Sequence, residues 1–468
     1  MRKIRIGVNR TTLFQIFLNI LLGAIGLVFL SNEDESEMFA CLSCIQIILN
    51  TYFLRKMKIR WFSFSMLFVW ATFMFHFGNV LLIALGESEY CAWDIVALSR
   101  SLYEYNLSCL FSLFCSGFVV TGIMMTYVKN VEEYVESASL INHEKEKRLI
   151  LFLGIVLFLI TVGPSVLLQW KRLQVVWSGG IYSQTRKVDS ELGIFYYFTR
   201  FFSFSLVMIM LGLQDNKKSA RVIYIVAVAY EAFCMISGNR SLQLIAIIIY
   251  TFVYVSVISH TRVKLKTKVI IVAAVYVGAA AINVLMRVRN FGVTQYDMGG
   301  LITEAIKSNP LFSVIGEFGI TQMTVSLAIT NYPSAVPFKL GLSYLVGLLS
   351  WVLPITGSQW FKNYTVFLYE FDFGSRLTLG GSYIGELFAN FGWFGIIGAI
   401  FVGIFVGRTC TRIFACIKSE NWLEFVPLLV LFYFNLFWVR NFFYGFVFTY
   451  VGMKFYIWIA MQISKRRH

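Results

Sequence analysis

Residues 222–259 read VIYIVAVAYEAFCMISGNRSLQLIAIIIYTFVYVSVIS, which is two apolar runs around the tetrad Ser237-Gly238-Asn239-Arg240. Each run approaches the about 20 apolar residues that a membrane span takes. An ionisable side chain between two membrane helices is costly, so Arg240 is a candidate functional residue by default. The stretch therefore predicts two membrane helices with an arginine at the point where they join.

The whole chain has the composition of a membrane protein. Its 468 residues are 58% hydrophobic and 14% charged, with a mean hydropathy of +0.71, whereas soluble domains carry about 25% charged residues. The sequence predicts an all-α polytopic integral membrane protein of about twelve spans. The candidate spans are 12–30, 37–54, 61–86, 107–128, 149–170, 192–213, 222–237, 242–259, 269–286, 381–407, 423–438 and 445–463.

The distribution of Lys and Arg predicts the orientation of these spans. With the N-terminus inside, the inner segments hold 25 basic residues and the outer segments hold 13, of which six lie in the loop 287–380. Basic residues favour the cytoplasmic side, so we expect both termini to be cytoplasmic. The net charge of +15 then reflects topology and contact with anionic lipid head groups. We expect no nucleic-acid partner.

The chain divides into three parts. Residues 1–286 carry spans 1–9, residues 287–380 form one long outer loop, and residues 381–468 carry spans 10–12. Loops of this length are usually functional. The apolar run 341–353 is too short to span and predicts an interfacial or re-entrant helix. Because residues 300–330 also show roughly helical spacing, we expect the loop to form helices over a membrane-facing cavity.

Several arginines lie at the predicted outer ends of helices. A guanidinium binds phosphate through two parallel hydrogen bonds and stays charged at any working pH. A cluster of them favours a phosphate-bearing lipid head group, although any one alone is explained as well by snorkelling or an ion pair. Arg240 and Arg440 are the strongest candidates for binding such a head group, because each lies in a link of only a few residues. The set is Arg240, Arg287, Arg289, Arg376 and Arg440.

Two carboxylates are candidate general bases. Glu386, near the outer end of span 10, is favoured by its position, although it could instead be a partner for an arginine. Asp372, just before that span, is the second choice. A second pair, Arg200 and Glu231, falls within spans 6 and 7 and is expected to form a structural ion pair. The residues His, Cys, Asp and Glu show no spacing typical of a metal site. No nucleotide-binding motif is present, so we expect no metal and no cofactor.

The glycines of span 10 come in pairs four residues apart. The pairs are Gly381 with Gly385 and Gly403 with Gly407. Residues at this spacing share one helix face, and small residues there permit close contact between helices. Packing is therefore preferred over a role in substrate binding.

Four stretches of the chain resemble the O-antigen polymerase (Wzy-type) family of bacterial membrane proteins. Their order along the chain, and the large late outer loop, also agree with that family. By this resemblance, Tyr182, Gln184 and Asn239 would join the arginines in binding substrate, with Arg287 or Arg289 as the third arginine of the site. The stretches are WSGGIYSQ at 177–184, SGNRS at 237–241, GSYIGELFANFG at 381–392 and RN at 440–441.

The resemblance implies a GT-C-like membrane glycosyltransferase of the bacterial inner membrane, with its long loop in the periplasm. Such enzymes transfer a growing glycan from undecaprenyl pyrophosphate to the non-reducing end of an incoming lipid-linked repeat unit. The implied partners are lipid-linked oligosaccharides, membrane lipids and a chain-length-regulating membrane protein. Two alternatives stay open. A polysaccharide flippase would have evenly short loops and two similar halves, and an O-antigen ligase would use the same arginine chemistry on another acceptor.

Overall fold

The computed structural model describes most of the chain, and within the described residues the protein is all-helical. This agrees with the predicted fold class. The described residues are 7–30, 36–91, 101–126, 143–178, 188–189, 191–237, 240–259, 309–352, 358–367 and 380–466, together with 278, 280, 284, 300 and 303.

The α-helices of this part of the chain are, in order, α1 (Arg10–Val28), α2 (Ser36–Lys56), α3 (Phe64–Ala84), α4 (Leu102–Met125), α5 (His143–Trp177), α6 (Ile194–Thr199), α7 (Phe202–Gly212), α8 (Lys217–Cys234), α9 (Arg240–Val253), α10 (Pro310–Gly319), α11 (Thr321–Asn331), α12 (Leu342–Leu348), α13 (Gln359–Thr365), α14 (Tyr383–Phe391), α15 (Gly395–Lys418), α16 (Trp422–Trp438) and α17 (Val447–Arg466). Short 3-10 turns cover Ser88–Tyr90, Met235–Ser237, Leu349–Trp351, Gly392–Phe394 and Phe443–Phe446, and a π-helical turn covers Tyr254–Ser259.

Polar side chains fix where several of these helices begin. The first N–H groups of a helix have no partner within the helix, and a side-chain oxygen just before it can accept from them. Each of these caps accepts a hydrogen bond from a backbone N–H two or three residues later. The capping residues are Asn9, Ser63, Ser101, Asn216, Ser358 and Ser382.

Among the described residues, 11 helical segments are long and apolar enough to cross a membrane, so the protein is a multi-pass membrane protein. Ten of them overlap predicted spans. The predicted span 423–438 is the shorter helix α16, and most of the predicted span 269–286 lies outside the described residues.

The eleventh segment, Pro310–Asn331, lies inside the predicted loop, where helices were expected but no span. It consists of α10 and α11, which break at Gly319 and Ile320. Polar residues of α11 lower its hydropathy, yet they face protein rather than solvent. Gln322, for example, is fully buried, and its Nε2 donates to Ser108 Oγ at 2.7 Å. The helical spacing predicted for 300–330 is confirmed over this segment, and Leu342–Trp351 is helical as predicted for 341–353.

The chain folds into two compact units. The first comprises Met1–Ser137, Ile315–Ala415 and Phe434–Phe448. In it α1 to α4 pack side by side, and α11 packs against α3, α4 and α14. Buried amides join these helices, since Gln46 Nε2 donates to Asn19 Oδ1 at 3.0 Å and to the Leu113 carbonyl at 2.7 Å. Such interhelical bonds contribute about 0.6 kcal/mol each.

Glycines of α15 bring that helix close to α4, as their spacing predicted. A Cβ atom at Gly403 would clash with the Val119 carbonyl oxygen, and one at Gly407 would clash with Thr126 Oγ1. Only glycine permits this approach. The packing interpretation of this pair is confirmed.

The second unit comprises Ala138–Val314, Cys416–Tyr433 and Thr449–His468. In it α5 packs against α6 and α7, and α8 packs against α9. The expected ion pair between Arg200 and Glu231 does not form in the described structure. Glu231 instead accepts hydrogen bonds from Ser203 Oγ at 2.8 Å and from Tyr250 OH at 3.1 Å. The Arg200 guanidinium lies over the rings of two tyrosines of α6, Tyr196 and Tyr197.

Candidate functional site

The candidate site is built around the link from Trp438 to Phe443, which joins the end of α16 to the 3-10 turn before α17. Glu386, in the first turn of α14, holds this link in place through hydrogen bonds. Its Oε2 accepts from Trp438 Nε1 at 2.8 Å and from the Phe443 backbone N–H at 3.1 Å. The Glu386 side chain lies inside the protein, with the residue only 1% exposed. One buried carboxylate oxygen thus binds both ends of the link.

Arg440 lies in the middle of that link. Its Nη2 is 3.5 Å from Glu317 Oε1 of α10, and its guanidinium lies 5.9 Å from the centroid of the Phe75 ring of α3. The Arg440 side chain is 23% exposed and the Glu317 side chain is 13% exposed. The charge of Arg440 is therefore partly accessible, and it is held in place by a carboxylate and an aromatic face.

The two glycines just before α14 approach the same link closely. A Cβ atom at Gly380 would lie 2.7 Å from the Arg440 carbonyl oxygen, and one at Gly381 would lie 2.6 Å from the Asn441 carbonyl carbon. Two glycines are needed here because any side chain would push the link away. Two of the stretches singled out in the sequence, 381–392 and 440–441, are therefore in contact.

Helix α12 completes the enclosure of Glu386. Ser343 Oγ donates to Glu386 Oε1 at 3.2 Å and accepts from Asn390 Nδ2 at 2.8 Å. Asn390 Oδ1 in turn accepts from the Gly341 N–H at 2.9 Å. Burial raises the pKa of the Tyr344 phenol well above its ordinary value, and the Glu386 carboxylate raises it further. Both a polar and an aromatic side chain of α12, Ser343 and Tyr344, therefore lie close to Glu386.

A serine and a histidine join α14 to α3 within the same unit. His76 Nδ1 lies 2.9 Å from the Thr72 carbonyl, and Nε2 lies 2.7 Å from Ser382 Oγ. A carbonyl only accepts, so Nδ1 carries a proton, and in the neutral imidazole the Ser382 hydroxyl then donates to Nε2. Ser382 Oγ also accepts from the N–H groups of Ile384 and Gly385 at 3.2 Å. Ser382 is fully buried and its hydroxyl is engaged in these hydrogen bonds. It therefore fixes the start of α14 and is not available as a nucleophile.

The family model for O-antigen polysaccharide polymerase Wzy matches residues 11–467. The chain belongs to this family. It is therefore a membrane protein of polysaccharide biosynthesis, and the family acts on lipid-linked oligosaccharides. Searches of curated proteins and of solved structures found no match.

Of the predicted site residues of this Wzy-family protein, the structure brings Glu386 and Arg440 into one cluster. Arg240 begins α9, in the second unit, and its side chain lies outside the description. The other predicted residues lie outside the described residues: Asp372, Arg376, Arg287, Arg289, Tyr182, Gln184 and Asn239.

Sequence reasoning missed several residues of the cluster. Glu317, Ser343 and Trp438 were not singled out, although Glu317 lies in a stretch that had helical spacing. A carboxylate in an apolar helix is itself a signal, because it needs donors or a cation nearby. Among the described residues, no group of three or more His, Cys, Asp or Glu side chains is arranged to hold a metal ion.

Proposed function

We propose that this Wzy-family protein polymerises oligosaccharide repeat units on the periplasmic face of the bacterial inner membrane, with both termini in the cytoplasm. The growing glycan is transferred from undecaprenyl pyrophosphate to the non-reducing end of an incoming lipid-linked unit. The observation that carries the proposal is the family match over residues 11–467. The partly accessible Arg440, in the link that Glu386 holds, supports it, because a pyrophosphate-bearing substrate requires a cation.

The reaction joins two sugars and releases a lipid pyrophosphate. A hydroxyl oxygen of the acceptor unit forms a bond to the anomeric carbon of the donor. The bond from that carbon to the pyrophosphate oxygen breaks, and its electron pair leaves with the oxygen. Negative charge therefore develops on the departing group. Because the reactive bond is already present in the substrate, no nucleotide is required.

Fixed arginines stabilise the departing charge. A preorganised donor aimed at developing charge contributes about 3–4 kcal/mol to a transition state. We assign this role to Arg440 and Arg240, with Arg287 or Arg289 as a third cation, and we assign Arg376 to substrate binding as well. Tyr182, Gln184 and Asn239 are assigned to binding the substrate. The guanidinium fork suits a pyrophosphate because it donates two parallel hydrogen bonds.

The proton of the attacking hydroxyl passes to a base, and Asp372 is our candidate. A general base must come within hydrogen-bond reach of the proton it removes. The other candidate, Glu386, is enclosed by donors of the protein itself and is 1% exposed.

The test is a reconstituted reaction with one substrate. Purified protein is given synthetic undecaprenyl-pyrophosphate-linked repeat unit alone, without ATP and without a lipid A acceptor. The expected result is a ladder of longer lipid-linked glycans, resolved by gel electrophoresis and mass spectrometry.

Two results would contradict the proposal. Movement of the unit across a liposome membrane without any ladder would show a flippase. Transfer of glycan only when a lipid A core is added would show a ligase.

A further inference from the structure

Glu386 grips the arginine-bearing link on both sides of Arg440. Trp438, two residues before Arg440, donates its indole N–H to Glu386 Oε2, and Phe443, three residues after it, donates its backbone N–H to the same oxygen. The chain between these two contacts is Val439 to Phe442. A carboxylate that accepts at both ends of so short a segment fixes the position of everything between them.

The carboxylate is itself held by a separate part of the chain. Ser343 of α12 donates to Glu386 Oε1, and Asn390, one helical turn further along α14, donates to Ser343 Oγ. Asn390 Nδ2 also lies 2.7 Å from the Glu386 carbonyl. The orientation of the carboxylate is thus set by α12 and α14, and the link takes its position from that orientation.

We propose that Glu386 is a positioning residue, which acts on the reaction by holding Arg440 where the substrate's pyrophosphate binds. This rests on the proposed function, in which Arg440 binds that group. It assigns Glu386 a different task from the general base that its location in the sequence favoured. A base has to be protonated and deprotonated in each cycle, whereas a positioning carboxylate only has to accept hydrogen bonds.

A glutamine at position 386 separates these two roles. The amide oxygen can take the place of Oε2 and accept from Trp438 and Phe443. The amide N–H₂ can take the place of Oε1 and donate to Ser343 Oγ, because a hydroxyl oxygen accepts two hydrogen bonds. Glutamine therefore preserves all three contacts and removes the ability to take up a proton. Alanine removes the contacts and the proton acceptor together.

The first measurement compares Glu386→Gln and Glu386→Ala in formation of the first bond between two labelled lipid-linked units. We expect Glu386→Gln to stay within about fivefold of the wild-type rate, since a neutral acceptor weakens each bond only modestly. We expect Glu386→Ala to lose about 100-fold, the size of effect that a misplacement of about 1 Å produces. Loss of activity in Glu386→Gln as large as in Glu386→Ala would overturn the proposal in favour of a base.

The second measurement asks whether Glu386 acts through Arg440. In an Arg440→Ala background, Glu386→Ala should cost no more than about threefold, because the group it positions is already gone. Glu231→Ala is the matched control, since Glu231 is also a buried carboxylate bonded by neutral donors but lies in the other unit. Its cost should be the same factor in both backgrounds. A full, independent cost of Glu386→Ala in the Arg440→Ala background would overturn the proposal.

A third readout does not depend on glycan transfer. Asn441→Cys places a thiol beside Arg440, and its rate of labelling by a water-soluble maleimide is compared with that of the chain without the added cysteine. The rate should rise in Glu386→Ala and remain unchanged in Glu386→Gln. An unchanged rate in Glu386→Ala would overturn the positioning role, whereas absence of a ladder from the wild-type protein would overturn only the proposed function.

Discussion

The protein places an arginine at two short links between apolar helices, and the two links are held in different ways. Arg440 lies within its link, whereas Arg240 directly follows its link as the first residue of α9. The link around Arg440 is gripped by the buried carboxylate of Glu386. In the described part of the link before Arg240, the Ser237 side chain is held by neutral groups and not by a carboxylate. There the Ser237 hydroxyl lies 2.7 Å from the Cys234 carbonyl and 3.2 Å from Gln169 Oε1 of α5.

The difference shows that the same sequence pattern, an arginine at a short link between apolar helices, can be stabilised by contacts of different strength. A buried carboxylate that accepts from three donors leaves all of them unpaired when it is removed, and each unpaired group costs about 1–3 kcal/mol. A single neutral hydroxyl contact contributes about 1 kcal/mol. We therefore expect the Arg440 link to be the more sensitive of the two to substitution of the side chains that hold it.

The largest effect is expected from Arg440 itself. Arg440→Ala should lower the rate of chain extension by about 100-fold or more, because loss of one preorganised donor costs about 3–4 kcal/mol in the transition state. The rate is measured per folded molecule in the ladder reaction.

Arg60→Ala is the matched control for that change. The Arg60 guanidinium also lies over a phenylalanine ring, 5.6 Å from the centroid of Phe414, but on the short link between α2 and α3. We expect Arg60→Ala to extend chains at the wild-type rate. Equal losses in the two variants would mean that the cation–π contact, rather than a site at Arg440, is what matters.

A smaller effect is expected from Gln169, which contacts Ser237 in the link before Arg240. Gln169→Leu keeps the volume of the side chain and removes one partner of Ser237, which still has the Cys234 carbonyl. We expect a loss of about 1 kcal/mol in stability and less than about a tenfold fall in the rate of extension. The two are measured by thermal unfolding in detergent and in the ladder reaction. A loss as large as that of Glu386→Ala would break the comparison between the links.

Local patterns predicted most of the fold. Hydropathy located ten of the membrane segments because each is a continuous apolar run, and the spacing of Gly403 and Gly407 predicted their packing because four residues bring two glycines to one helix face. The segment Pro310–Asn331 was missed as a span because its polar residues, such as Gln322, are satisfied by partners that hydropathy does not include.

The site was harder to predict, because its contacts join residues far apart in the chain. Glu386 and Arg440 were singled out as unusual charges, but the partners of Glu386 lie 43, 52 and 57 residues away. No spacing rule reaches across such distances. The predicted ion pair between Arg200 and Glu231 was wrong for a related reason. Tyrosine rings were available to Arg200, and the hydroxyls of Ser203 and Tyr250 were available to Glu231.

The rate of extension by Arg240→Lys tests most directly whether arginines bind the lipid pyrophosphate through their planar fork. Lysine keeps the positive charge and can still donate one hydrogen bond, but it loses the second, parallel one. We predict a loss of about tenfold or more, as expected for one hydrogen bond to a charged group, with Arg240→Ala losing still more at normal protein levels. Full activity of Arg240→Lys would contradict the claim, because a point charge would then be sufficient.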